Sequence, residues 1–183
     1  MAHEIEAKFR VADHQAVRRA LRSAGAEYLA TVDQMDTYYD TPEGMLLGRD
    51  VGLRIRATRC LRRGPKPVET RPLLTAKGPR IAGRSAKVRQ EVQVHLDDAA
   101  AVEEILAAAG LKPQVVVEKR RASYRLGRCR VELDELPAVG CFVEIEAPSP
   151  KAIARTAESL GLRGEPITDH YVALLLKATR AGS

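Results

Sequence analysis

Tryptophan is missing from this chain of 183 residues, and aromatic residues of all kinds make up only 4% of it. That scarcity argues against a surface that grips nucleic acid by stacking bases, and neither a helix-turn-helix nor a zinc-finger spacing is present. Cysteine is nearly as rare. Cys60, Cys129 and Cys141 are odd in number and lack C-x-x-C spacing, which argues against a disulfide framework or a zinc site and reads as three free thiols. No apolar run is long enough to span a bilayer, and the N-terminus lacks the basic-then-apolar pattern of a signal peptide. The expectation is a cytoplasmic protein with no membrane partner. Internal repeats, low-complexity tracts and interdomain linkers are missing too, so residues 1–183 read as a single domain with its own core.

What is abundant is charge. Ionisable Asp, Glu, Lys and Arg make up 30% of the chain against 45% apolar residues, with a net charge of +6. A basic excess serves polyanions, and with base stacking disfavoured a small polyphosphate ligand uses the same excess. The arrangement of the charges is more telling than their number. In the first strand, His3-Glu4-Ile5-Glu6-Ala7-Lys8-Phe9, alternation puts Glu4, Glu6 and Lys8 on one face and Ile5, Ala7 and Phe9 on the other.

The pattern returns along the chain. Asp13 is placed to cap a helix through Val17, Ala20, Leu21 and Ala24 that Gly25 closes. Strands follow at 28–39, which ends in DTYYDT, and at 51–59, where Arg54 and Arg56 oppose Leu53 and Ile55. Residues 60–72 read as a mobile basic loop, 73–77 as a strand with Thr75 and Lys77 on its polar face, and 80–87 as a second basic connection. In 88–96, Arg89, Glu91, Gln93 and His95 oppose Val88, Val92, Val94 and Leu96. Asp97 or Asp98 caps a helix through Val102, Ile105, Leu106 and Ala109. A strand at 115–125 aligns Lys119 with Arg121, and a hairpin at 128–147 with its turn at Pro137-Ala138 sets Asp134 against Phe142, Glu132 against Glu144 and Arg130 against Glu146. Helices at 150–160 and 168–177 end the chain, the second burying Val172, Leu175 and Leu176.

These faces carry Lys8, Arg54, Arg56, Lys77, Arg89, Lys119 and Arg121 alongside Glu4, Glu6, Glu91, Glu132, Asp134, Glu144 and Glu146, with few neutral polar residues between them. A face so purely ionic fits the inside of a barrel better than an open surface. The expected fold is α+β: a closed antiparallel eight-stranded β-barrel or tunnel with a charged interior and helices packed outside. Burying so many charges dry costs several kcal/mol per ion, so the interior holds water, ions and an anionic ligand. Arg offers phosphate a planar fork and Lys a point charge, while clustered carboxylates suit a hard divalent ion.

The stretch EIEAK matches the E-x-E-x-K signature of the CYTH superfamily, the triphosphate tunnel metalloenzymes that include class IV adenylyl cyclases and thiamine triphosphatases. DTYYDTP, LRIR, LLTAKGP, the Arg89-x-Glu91 pair, VEKRR, VELDEL and GCFVEIEAP follow in the order of the class IV cyclase branch, so the resemblance runs from Glu4 to about Lys177. Val139 departs from the Leu common before the glycine in that branch, and segment 60–72 is unusually basic.

The resemblance implies a metal-dependent enzyme converting ATP to cyclic AMP and pyrophosphate. Its alternative is an inorganic or thiamine triphosphatase that releases phosphate. A non-catalytic nucleotide or polyphosphate sensor is a third reading, disfavoured because binding alone needs fewer carboxylates. By resemblance, Lys8, Arg54, Arg56, Lys77, Arg89, Lys119 and Arg121 bind the phosphates of ATP or another small triphosphate. Glu4, Glu6, Asp134, Glu144 and Glu146 are the candidate ligands for Mg2+ or Mn2+, and Glu4, Glu6, Lys8 and Lys77 are assigned to the chemical step. Lys8 either touches phosphate or orients the glutamates. Arg89 and Glu91 are equally readable as an ion pair inside the tunnel. His3, His14, His95 and His170 have no metal spacing and read as surface or packing residues. A homodimer is compatible with the chain, which leaves oligomeric state and base specificity open.

Overall fold

Alternation of ionic and apolar side chains rolls the chain into one sheet. The computed structural model describes residues 2–79, 87–137 and 139–181, with side chains over 5–79, 89–137 and 139–179. Its strands are β1 (Ala2–Val11), β2 (Glu27–Asp40), β3 (Gly52–Arg63), β4 (Leu73–Lys77), β5 (Lys87–His95), β6 (Lys112–Leu126), β7 (Cys129–Leu136) and β8 (Gly140–Glu146). All pairings are antiparallel in the order β1-β5-β4-β3-β2-β6-β7-β8, and β8 pairs again with β1. The β7–β8 hairpin takes the expected register, Asp134 against Phe142, Glu132 against Glu144 and Arg130 against Glu146.

The wall is uneven in height. β6 has 15 residues and β4 only 5, lengths of about 50 Å and about 17 Å at roughly 3.3 Å per residue. The tall strands make a half-barrel, while short β4 and a β1–β5 seam limited to Ala2–Glu6 carry the ladder round the remaining side. The expected eight antiparallel strands and charged interior are therefore present, in a sheet curled into a half-barrel rather than an evenly walled tunnel.

Two helices cover the outside of the tall half. α1 (Gln15–Ser23) brings Val17 and Leu21, and α4 (Pro150–Ser159) brings Ile153 and Ala157, onto Ala7, Phe9, Ala122, Val131, Leu133, Val143 and Ile145. Leu21 is fully buried there, so Leu21→Ala removes packing worth about 2–5 kcal/mol. The cap of α1 differs from expectation. His14 occupies the N-cap position with its ring bonded to the Phe142 carbonyl, while Asp13 accepts a bond from the Gln15 amide. A four-residue helix, α2 (Met45–Gly48), follows β2, and Asp40 accepts from the amides of Thr41, Leu46 and Leu47 to hold it. α3 (Ala99–Ala108), capped by Asp98, packs Val102 and Leu106 against Tyr39, Ile55 and Leu74.

The last helix is not on the outside. α5 (Tyr171–Ala181) packs Tyr171, Val172 and Leu174 on Val117, Leu136 and Phe142, residues that share a face with Lys119, Asp134 and Glu144 by strand periodicity. It covers the concave side of the sheet at one end. The expected stripe is corrected accordingly: Val172 and Leu174 are buried, Leu175 packs beside them, and Leu176 is exposed.

Candidate active site

The concave face encloses a cavity of about 960 Å³. Its walls include Glu6, Lys8, Arg54, Arg56, Lys77, Arg89, Glu91, Lys119, Arg121, Glu132, Glu144 and Glu146, twelve of the fourteen ionic residues aligned from the sequence. The side chain of Glu4 lies outside the described residues; its backbone pairs with Arg89 across the β1–β5 seam. Asp134 lies behind the wall. Segment 80–87 falls outside the residues with described side chains.

The cations of β3 and β6 converge on one carboxylate that the sequence patterns did not single out. Asp36, on β2 and 1% exposed, accepts from Arg54 Nη1 at 2.9 Å, from Arg56 Nε at 2.6 Å and Nη2 at 2.8 Å, and from Lys119 Nζ at 3.1 Å. Strand pairing explains the convergence: Arg56 and Val117 both stand opposite Asp36, and Arg54 and Lys119 lie two residues further along the same faces. Burial alone pushes Asp36 toward the neutral acid. Lys119, Arg54 and Arg56 outweigh it and hold the carboxyl well below its usual range. Burial dominates Lys119 instead, and with Arg56 and Arg121 nearby it brings that ammonium down to about 7.

A second cluster has the opposite composition. Arg121 donates to Asp134, through Nε at 2.6 Å, to Glu144 at 2.5 Å, and is paired with Glu132. Asp134 also accepts from the Tyr171 hydroxyl at 2.7 Å and is fully buried. Lys8 pairs with Glu144 at 3.3 Å and sits 3.5 Å from the centre of the Tyr171 ring, so α5 supplies a cation–π partner that no strand pattern forecast. Glu144 is pushed up by burial, yet Lys8, Arg121, Lys119 and Lys77 bring it well below the usual carboxylate range. Burial, Glu144 and Asp134 raise the Tyr171 hydroxyl well above 10, so it stays a donor.

At the low side of the wall, Lys77 pairs with Glu91 at 3.0 Å. Arg89 donates to the Asp50 carboxylate at 2.8 Å and to the carbonyls of Asp50 and Gly78. Asp50 takes a left-handed backbone, φ 56°, to present both oxygens. The segment expected to be a basic loop from Cys60 divides in two. β3 continues to Arg63, and Gly64 then packs so tightly on β2 that a Cβ would come 2.4 Å from the Leu29 carbonyl oxygen. Beyond it, Lys66, Pro67, Val68 and Glu69 line the cavity mouth. His95, which is exposed as expected of a surface residue, and half-buried His170 both line the cavity, and His14 is buried.

The oxygen-only donors Glu6, Glu144 and Glu146 fit a hard divalent ion. Glu6 stands opposite Glu146 and Lys8 opposite Glu144 across the β1–β8 ladder, and all three glutamates line the cavity. Among the described residues no three His, Cys, Asp or Glu side chains converge as a closed cage. A Mg2+-like ion needs none, since it keeps several waters and takes one or two carboxylates plus substrate phosphate oxygens. Asp134 is the exception within the expected ligand set. Sealed behind Arg121 and bonded to Tyr171, it is placed to fix those two side chains rather than to reach an ion in the cavity.

Comparison with known proteins agrees with this geometry. A CYTH domain model matches residues 2–161, and the chain belongs to the CYTH domain family. It is similar to the adenylate cyclase CyaB of Aeromonas hydrophila, 29% identical over 143 residues that cover 78% of this chain and 67% of that one. Among solved structures it resembles the PH1012 protein of Pyrococcus horikoshii OT3, at 26% identity and a TM-score of 0.75, covering 94% of this chain and 99% of that chain. HpAC1 from Hippeastrum, at 17% identity, shares the fold with a TM-score of 0.69 over 98% of this chain and 96% of its own. Among the described residues no helix is long and apolar enough to cross a membrane.

Proposed function

We propose that this CYTH protein is a metal-dependent enzyme that binds ATP in its cavity and cyclises it to cyclic AMP and pyrophosphate. The observation that carries the reading is the group of cavity-lining cations, Arg54, Arg56 and Lys119, fixed on a single carboxylate beneath them. Triphosphate oxygens find preset donors there, joined by Arg121, Lys8, Lys77 and Arg89 along the same cavity. Glu6, Glu144 and Glu146 would hold Mg2+ or Mn2+, with Glu4 beside them in sequence. The ion supplies charge neutralisation where negative charge develops during phosphoryl transfer. The 3′-oxygen of the ribose attacks the α-phosphorus, and the cations stabilise the departing pyrophosphate. Lys8, held between Glu144 and the Tyr171 ring, and Lys77, held by Glu91, keep their ammonium groups aimed along the cavity wall.

Attack of water on the terminal phosphorus uses the same cations and leaves the nucleoside without a role. That second reading has support from the shared fold of HpAC1, which is described as having a dominant triphosphatase activity. Product analysis separates the two. The protein is incubated with ATP, inorganic triphosphate and thiamine triphosphate, each with Mg2+ and with Mn2+. Cyclic AMP and pyrophosphate from ATP are expected; inorganic phosphate with no cyclic AMP under either metal replaces the cyclase with a triphosphatase. No turnover of any of the three, with binding retained, leaves a sensor.

A further inference from the structure

Asp36 touches three cations of the cavity wall yet is not part of that wall itself. As a free charge near an anion site it would be a liability, because a carboxylate repels a triphosphate. Its placement gives it another use. Asp36 lies behind the cations, 1% exposed, and engages Arg54 through Nη1 only. Arg54 Nε is buried with no hydrogen-bond partner, and so is the hydroxyl of Thr75, which stands opposite Arg54 on β4 and lines the same cavity. Buried polar groups are almost always paired, so these two orphans show that Arg54 is held by Asp36 at its outer nitrogen alone and keeps hydrogen-bonding capacity that the described residues do not use.

We propose that Asp36 is a positioning residue: it anchors Arg54, Arg56 and Lys119 from behind, so that these three cavity-lining cations are already held in place when phosphate oxygens arrive. Long cationic side chains lose considerable rotamer freedom when they close on a ligand, and a carboxylate that already holds them removes that cost from the binding step. The inference rests on the reading of the cavity as a triphosphate site.

The sign of one substitution tests it. If Asp36 only subtracts positive charge, Asp36→Asn tightens binding of inorganic tripolyphosphate; if it positions, Asp36→Asn weakens binding about tenfold or more. Calorimetric titration of both proteins reads the difference, and equal or tighter binding by the variant overturns the proposal. Should the variant not fold, NMR of the arginine guanidinium groups in the unaltered protein decides instead. Hindered rotation at Arg54 and Arg56 before any anion is added is the expected result, and free rotation that locks only on addition of tripolyphosphate overturns it. An unaltered protein that takes up no tripolyphosphate defeats the triphosphate reading, while the guanidinium signals still judge Asp36 separately.

Discussion

The two ion clusters of the cavity are near inversions of one another. At Asp36 one carboxylate holds three cations, and at Arg121 one guanidinium holds three carboxylates. Both are almost fully buried, and in both the central group is kept charged by its partners rather than by water. The difference lies in what is left over. Cations outnumber the carboxylate around Asp36, and carboxylates outnumber the guanidinium around Arg121, with Glu6 and Glu146 lining the same cavity; under the proposed function the first suits an anion and the second a cation. A metal triphosphate complex carries both demands in one ligand.

Breaking the acidic side should have the largest effect. Glu6→Gln and Glu144→Gln keep shape and remove charge, and turnover at limiting metal should fall about a hundredfold or more while the fold persists. Steady-state rates against Mg2+ and Mn2+ concentration check this, and unchanged rates in both variants remove these residues from the metal site. On the basic side, Arg56→Ala should weaken tripolyphosphate about ten- to hundredfold without altering metal dependence to the same degree, since a charge-assisted contact contributes about 1.5–3 kcal/mol. Calorimetry reads it directly.

The pH dependence sharpens the comparison further. Lys119 is brought down to about 7 by burial above all, whereas an unfolded lysine titrates near about 10.4. Between those values the unfolded chain holds a proton that the folded one has released, so ligand-free stability should rise as pH climbs through this window. A bound triphosphate favours the protonated ammonium, so affinity should fall by up to about tenfold per pH unit above neutrality, with proton uptake seen in buffers of different ionisation enthalpy. Lys119→Arg, charged throughout, should flatten the profile. The smallest effect is expected on the outer face of the same strands. Arg59 pairs with Asp33 at 2.6 Å but is 76% exposed, so Arg59→Ala should change tripolyphosphate affinity less than about twofold.

Much of this arrangement was legible before any coordinates. Strand periodicity of two put Lys8, Arg54, Arg56, Lys119, Arg121, Glu132 and Glu144 on one side of the sheet, and the hairpin register followed from where its turn could lie. Asp36 was not legible in the same way, although it shares the face of Gln34 and Tyr38 in a strand where the ionic alternation is weak. The burial of Asp134 under Arg121 and Tyr171 was not legible either, because alternation tells which face a carboxylate is on, not which partner covers it. The Arg89–Glu91 pairing was left even with phosphate contact, and the structure bonds Arg89 to Asp50, a residue 39 positions away.

The sequence by itself determined the sheet, its ionic face and the sign of each charge on it, because those depend on residue type and on a backbone repeat of two. Only the tertiary structure decided which charges meet. Asp36 reaches Lys119 across 83 positions of chain, and Tyr171 reaches Asp134 across 37. Side-chain pairing across a curled sheet, and the turn that lays α5 over its concave face, are set by packing among distant segments, and no local pattern encodes that.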